Sequence, residues 1–341
     1  MNFQYIVKVE KASQIADIAF STAKKNGEMT WHQLKKKDKI SRRRATEKER
    51  IRVARRIIIR RLDKIYDQFP VVKDLAPFYQ ELFKNNIDFD KYRQSLQAIK
   101  WTCTKVEELY NLNNKKIIDS NEPGEMSSIR NQFYARADSL LKKLQKSLDF
   151  LEESRKKLRR FPDIKPEMYT IAIAGHPNVG KSSLLKALTT ADPEISNYAF
   201  TTKGLNTGYM KTENNEYLQI IDVPGTLDRE NKNMIEKNAI IVLEKVINDV
   251  IFVIDPSETS GYTIGEQINL MEKFTDEFKF SPLCVLNKID ISQKEKINFA
   301  LKNVKRSIKI SIKENKGINE LKKNIKKTRK SPSVTIFNSY N

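Results

Sequence analysis

Cysteine, tryptophan and glycine are scarce in this chain, and so is acid relative to base. Its two cysteines, Cys103 and Cys284, lie far apart in a sequence of 341 residues. That excludes a disulfide framework and a cysteine-built zinc site, and it fits a reducing compartment. His32 carries no metal signal on its own. No apolar run approaches the roughly 18 residues that a membrane-spanning helix needs. The opening stretch MNFQYIVKVEKAS lacks the apolar core of a signal peptide. A soluble cytoplasmic protein with no membrane partner is therefore expected. Only Gly27 and Gly124 fall in residues 1–160, so that half reads as helix with few breaks.

What is abundant is positive charge. The sequence holds 63 Lys and Arg against 43 Asp and Glu, a net charge of +20, and such a surface favours polyanions. The length suggests about two domains. Apolar positions Ile15, Ile18 and Ala19 mark a helix over 9–25. The stretch 35–64 then carries 15 basic residues against 4 acidic ones. Within it, Thr46 and Glu49 suggest a capping box, and Ile51, Ala54, Ile58, Leu62 and Ile65 recur at helical steps. The arginines should spread over the remaining helix surface, where a solvated face is the plain alternative to a bound anion. We take Lys35, Lys36, Lys37, Arg42, Arg43, Arg44, Arg50, Arg52, Arg55, Arg56, Arg60 and Arg61 as candidate RNA contacts. Trp31, His32 and Arg42–Arg44 are expected in a loop ahead of the helix, able to meet RNA backbone or bases. Further helices are expected over 73–84, along the face Phe89 to Tyr110, and over 126–160 with its near-heptad stripe Ile129, Phe133, Ala137, Leu141, Leu144, Leu148, Leu151 and Leu158. An antiparallel bundle is the simplest packing. Pro162 and Pro166 forbid helix continuation and set a boundary.

Beyond Pro166, short β-branched runs alternate with helical stretches. Strands are expected at 170–174, 218–221, 250–254, 283–286 and 307–310. Helices are expected at 183–189, 233–246, 264–274, 294–304 and 318–327. This is the pattern of an α/β domain with a mostly parallel sheet, helices on both faces, and a ligand at the C-terminal strand ends. Those ends carry chemistry. After the first strand comes AGHPNVGKSS, in which Gly175, Gly180, Lys181 and Ser182 supply G-x-x-x-x-G-K-[ST]. Backbone N–H groups of such a loop surround phosphates, the lysine reaches β and γ oxygens, and the serine hydroxyl is a Mg²⁺ ligand. Pro177, Asn178, Val179 and Ser183 belong to the same loop. After the second strand, Asp222-Val223-Pro224-Gly225 is a D-x-x-G, a carboxylate for Mg²⁺ and a glycine N–H for the γ-phosphate. After the fourth, Asn287-Lys288-Ile289-Asp290 is an N-K-x-D. Its aspartate can accept from guanine N1–H and the 2-amino group together, a pair that adenine does not offer. Three motifs in this order and context point to a guanine-nucleotide site.

GHPNVGKSS, NYAFTTKGLNTGYM, DVPGTLD, FVIDPSETSGYTIGEQINL and NKID resemble blocks of the Obg-related nucleolar GTP-binding protein 1 (Nog1) family. So do ISRRRATEKERIRVARRIIIRRLDKIYDQFP and DLAPFYQELF, outside the GTPase part. The chain looks like a short archaeal form. The resemblance implies a maturation factor for the large ribosomal subunit, with the helical domain among rRNA elements and the GTPase as switch. It implies GTP or GDP and Mg²⁺ as ligands, a precursor large subunit as partner, and a monomer. By the same resemblance Thr202, rather than Thr201, completes the Mg²⁺ shell with Ser182 and Asp222. Ser311-Ile312-Lys313 is similar to the guanine loop S-A-K. Lys181, Asn178, Thr202 and Gly225 are the catalytic candidates. Thr226 stands where Ras-like enzymes have glutamine, so slow hydrolysis is expected. Asn178 resembles an asparagine that helps to coordinate K⁺ in related GTPases, with loop stabilisation as the alternative. Two other functions are weighed. A signal-recognition-type targeting GTPase would carry T-K-x-D, and a nucleotide-gated RNA-binding protein would show negligible hydrolysis. The expected domains are 1–161 helical and RNA-binding, 162–167 linker, 168–330 GTPase, and 331–341 tail.

Overall fold

A computed structural model describes residues 3–161, 163–189, 206–212, 215–223 and 245–328. The chain forms two compact units. One comprises Phe3–Leu75 and Phe83–Arg159; the other comprises Ala76–Leu82 and the chain from Arg160. The segment Ala76–Leu82, expected in the helical domain, thus groups with the C-terminal unit.

The helical unit is built from α1 (Ala12–Gln33), α2 (Lys39–Asp67), α4 (Phe89–Asp119) and α5 (Pro123–Leu158); α3 (Pro77–Asn86) is divided at Leu82, its first part belonging to the other unit. Helix α1 packs on α2, α4 packs on α5, and α2 and α5 join the pairs. The apolar stripe of α2 is fully buried at Ile51, Ala54, Ile58 and Leu62. Its Ile51 and Ala54, with Val53, meet Ala23 of α1, Ile117 of α4, and Met126, Ile129 and Phe133 of α5 in one cluster. Each of the larger side chains among them contributes about 1.5–3 kcal/mol on leaving water. The start of α2 corrects the sequence reading. Asp38, not Thr46, is the cap, its carboxylate accepting from Ile40 N and Ser41 N at 3.1 and 2.9 Å. A short acid satisfies the exposed first-turn amides better than a residue in mid-helix can. Thr46 is buried and donates its hydroxyl to Arg42 O at 2.8 Å. Trp31 and His32 therefore end α1, and Arg42–Arg44 lie in α2, none of them in a loop.

In the other unit, β1 (Thr170–Ala174), β2 (Asn206–Lys211), β3 (Tyr217–Asp222), β4 (Asp249–Ile254), β5 (Leu283–Leu286) and β6 (Ser307–Lys309) form one sheet, ordered β2-β3-β1-β4-β5-β6. All pairings are parallel except β2 against β3. The helices are α6 (Lys181–Leu188), α7 (Ile264–Phe278), α8 (Lys294–Lys302) and α9 (Ile318–Thr328). One sheet face, with Ile171, Ile173, Ile220, Val253 and Val285, packs on Leu184, Leu185 and Leu188 of α6 and on Leu321 and Ile325 of α9. Alternate residues point the other way. There Phe252 meets Phe274 of α7 edge-on, and Cys284 lies against Met271. This is the expected fold, a mostly parallel sheet with helices on both faces. Strand β2 is an addition. Its Asn206 and Gly208 carry little strand preference, and pairing with β3 overrides them. The expected helix over 233–246 falls almost wholly outside the described residues, as does the tail 331–341.

The approach to β1 is tied down from inside the same unit. The Tyr79 hydroxyl donates to Ile164 O at 2.7 Å and accepts from Ile164 N at 2.9 Å. Lys165 N donates to Gln219 Oε1 of β3 at 3.0 Å.

Candidate nucleotide site and the basic helix

Strand β1 ends in a loop whose shape depends on two glycines and one asparagine with positive φ. Gly175 and Gly180 sit at φ +137° and +104°, and Asn178 at +63°. A Cβ on Gly175 would stand 2.6 Å from Val253 O, and one on Gly180 would run into the Asn287 amide. The concave side is thereby kept free of side chains, as a cradle for phosphates must be. Lys181 Nζ donates to His176 O at 2.9 Å, so the ammonium is held at the loop's rim. Ser182 and Ser183 are exposed in the first turn of α6, while Val179 is buried.

Asp222, at the end of β3, reaches the same place. Ser182 Oγ donates to its Oδ2 at 2.5 Å, and Asn206 Nδ2 at 3.3 Å. Burial pushes the Asp222 carboxyl above its ordinary value of 3.8, against the opposing pull of Ser182, Lys181 and Asn206. A hydroxyl and a carboxylate oxygen side by side make a hard donor pair suited to Mg²⁺. Binding of the ion requires the ionised carboxylate. Because this carboxyl is raised, the Mg²⁺ concentration for half-maximal nucleotide retention should rise as pH falls from neutral, earlier than for an ordinary aspartate. In Asp222→Asn the carboxyl's share of that pH dependence should be lost, leaving only the share from the nucleotide's own phosphates, as magnesium titrations at several pH values would show.

The base side assembles from β5 and β6. Asn287 is buried and donates from Nδ2 to Val179 O at 2.9 Å, fastening the N-K-x-D segment to the phosphate loop. Lys288 Nζ donates to Asn178 O at 3.0 Å. A hydrogen bond from the Ser311 side chain, helped by Lys313 and Lys316, holds the Asp290 carboxyl below its ordinary value. Asp290 is thus ionised at neutral pH and can only accept, as guanine N1–H and the amino group require. Ser311 is buried, and its Oγ accepts from Glu314 N at 3.1 Å, closing the turn that presents Ile312 and Lys313. Gly175, Pro177, Asn178, Val179, Gly180, Lys181, Ser182, Asp222, Asn287, Lys288, Asp290 and Ser311–Lys313 therefore converge at one end of the sheet. Thr201, Thr202, Gly225 and Thr226 lie outside the described residues. The motifs missed two neighbours. The His176 ring stacks on Tyr262 with centroids 4.0 Å apart, and Asp255, at the end of β4, bonds Lys288 at 2.7 Å. The signal for Asp255 was present, because it is an acid directly following a buried strand, as Asp222 is at its strand's end.

Most of the candidate RNA contacts are turned to internal use. Arg43, Arg50 and Arg130 converge on the fully buried Glu47 at 2.9, 3.2 and 2.9 Å. Arg42 stacks over Trp31, 3.7 Å from the ring centroid, and Arg44 donates to Ser120 O and Asn121 Oδ1, both at 2.9 Å. Arg52 pairs with Glu49 at 2.7 Å, Arg55 with Glu107 at 2.6 Å, and Arg61 with Glu10. Lys35, Lys36 and Lys37 are exposed between α1 and α2. Arg56 and Arg60 are exposed too, pair with no acid among the described residues, and line a groove of about 770 Å³ with Arg55, Lys64 and the acids Asp63, Asp67 and Glu107. No described helix is long and apolar enough to cross a membrane.

Comparison with known proteins gives the following. A family profile described as the NOG1 N-terminal helical domain matches residues 3–165, and one described as a 50S ribosome-binding GTPase matches residues 170–288. An uncharacterized protein of Methanocaldococcus jannaschii is 36% identical over 82% of this chain and 80% of its own length. Nucleolar GTP-binding protein 1 of Drosophila melanogaster is 33% identical over 85% of this chain but only 44% of its own length. The chain spans about half or less of the eukaryotic relatives it matches. A Plasmodium falciparum crystal structure assigned to nucleolar GTP-binding protein 1 is 34% identical over 50% of this chain and 93% of that one, with a TM-score of 0.41.

Proposed function

The chain belongs to the nucleolar GTP-binding protein 1 family and carries its P-loop GTPase domain, and from that premise we propose that it is a GTP-hydrolysing assembly factor for the large ribosomal subunit. The observation that carries the reading is the convergence of Lys181, Ser182 and Asp222 with Asn287, Lys288 and Asp290 at one sheet end, in a chain that also carries a basic helical unit. The 50S ribosome binding named for the GTPase profile, and the nucleolar naming of the relatives, support the ribosomal part.

In this reading the phosphate loop and Lys181 hold the triphosphate, Asp290 reads guanine, and Ser182, Asp222 and, in the GTP state, Thr202 would hold Mg²⁺. The ion held there would supply charge neutralisation on the phosphates. Lys181 places a second positive charge where negative charge develops. Thr226 has no amide with which to orient water, so intrinsic turnover is slow. Asn178 would help hold a K⁺ ion, which with the ribosomal particle would supply the activating positive charge. Rates that stay the same when K⁺ replaces Na⁺, with and without particles, would remove the cation from the scheme. Negligible single-turnover hydrolysis on large subunits would instead leave a nucleotide-gated RNA-binding protein. The test of the function is GTP hydrolysis with purified subunits, which should be stimulated by large subunits and not by small ones.

On the helical unit, the internal pairing of the arginines shifts the RNA surface to Arg56, Arg60 and the lysines at 35–37. Neutralising Arg56 and Arg60 should leave stability within about 0.5 kcal/mol. It should also lower the salt dependence of subunit binding by about one unit of slope per residue. Binding isotherms across a salt series, with chemical denaturation alongside, check both.

A further inference from the structure

The loop between β4 and α7, Asp255 to Thr263, has no assigned part in phosphate or base recognition, yet it is built around one carboxylate. Asp255 is fully buried. Its Oδ1 accepts from Ser257 N at 3.0 Å and Ser257 Oγ at 2.5 Å. Its Oδ2 accepts from Ser260 N at 3.0 Å, Thr259 Oγ1 at 3.2 Å and Lys288 Nζ at 2.7 Å. The backbone is fixed as well. Asp255 N donates to Oε1 of the buried Gln267 at 2.7 Å, and Gln267 Nε2 donates back to Asp255 O and to Tyr262 O.

Lys288 is the functional end of this arrangement. An ammonium has three hydrogens, and here they meet Asp255 Oδ2, Thr259 Oγ1 at 2.9 Å and Asn178 O at 3.0 Å. Only the last of these belongs to the phosphate loop. The other two hold the ammonium in place for it. A lysine stem is flexible, and its head finds a single position only where a charged partner selects it. Asp255 is that partner, and burial makes the charge pair obligatory.

We propose that Asp255 is a positioning residue for nucleotide retention: it fixes Lys288 so that Lys288 braces the phosphate loop at Asn178. The proposal rests on the guanine-nucleotide reading of the site. Asp255 meets the N-K-x-D segment through Lys288 and makes no contact with Asp290, so it governs how long a nucleotide stays and not which base is chosen.

The test is the dissociation rate of fluorescent GDP and IDP from the full chain in Mg²⁺, for wild type, Asp255→Asn, Lys288→Met and the double variant. Asparagine keeps the acceptor for Ser257 and Ser260 but removes the charge. Asp255→Asn should speed release of both nucleotides about tenfold, roughly what one charge-assisted hydrogen bond is worth, with the GDP-to-IDP ratio unchanged. In the Lys288→Met background, adding Asp255→Asn should change nothing further. Thr259→Val, which leaves the carboxylate in place, should give a smaller acceleration in the same direction and serves if Asp255→Asn does not fold. Three results would overturn the proposal with the nucleotide reading intact. They are unchanged release from a folded Asp255→Asn, full acceleration by Asp255→Asn in the Lys288→Met background, or a shifted GDP-to-IDP ratio. A wild-type chain that binds no GDP overturns both.

Discussion

Replacing Asp290 by alanine is expected to lower the preference for GTP over ATP by about 10⁴-fold, the discrimination that a site built to pair a ligand's N–H groups exerts against a ligand lacking them. The carboxyl is held below its ordinary value by Ser311, Lys313 and Lys316. Facing guanine, the ionised group accepts from N1–H and the 2-amino group; facing adenine, it would lie against N1, an acceptor, with no donor in reach. The loss should fall on GTP, with ATP affinity little changed. Because the carboxylate stays ionised well below neutral pH, the wild-type preference should be flat from neutral into mildly acid solution. Competition of unlabelled GTP and ATP against a fluorescent nucleotide measures both. A preference that survives Asp290→Ala would place guanine reading elsewhere.

The second large effect lies in the helical unit. Glu47 is fully buried, and three guanidinium groups converge on it from Arg43, Arg50 and Arg130. Glu47→Leu removes the single acid and leaves three cations facing one another in partial burial. Breaking such a cluster from one side costs about 3–5 kcal/mol, because the charges left behind have lost their solvent and their partner. Chemical denaturation should show that loss in the transition of the helical unit, while Arg56→Gln shows almost none. An unchanged midpoint for Glu47→Leu would mean that the arginines rearrange into water at little cost.

The two halves of the chain differed in how much of this could be read beforehand. In the GTPase unit the short apolar runs stop at polar motifs, and a parallel sheet places every such stop on one edge. The convergence of Lys181, Asp222 and Asp290 was therefore legible. Strand β2 was not, since Asn206 and Gly208 do not look like strand residues until β3 pairs with them. In the helical unit the apolar stripes of α2 and α5 were legible as core. The uses of the arginines were not. Arg130 meets Glu47 across 83 residues, Arg55 meets Glu107 across 52, and Arg44 reaches Ser120 across 76. Local sequence shows an excess of positive charge, and only the packing of the bundle shows that much of it is spent internally. Asp255 falls between these cases. Its position after a buried strand was a signal that no motif used, its partner Lys288 comes from the next strand's end, and the link between them exists only in the fold.

The measurement that bears most directly on the central claim is cosedimentation of the purified chain with isolated large and small ribosomal subunits across a salt series, with GDP or a non-hydrolysable GTP analogue. The account predicts retention on large subunits at salt that strips the protein from small ones, stronger with the GTP analogue than with GDP. Equal, salt-labile binding to both subunits, indifferent to the nucleotide, would contradict it.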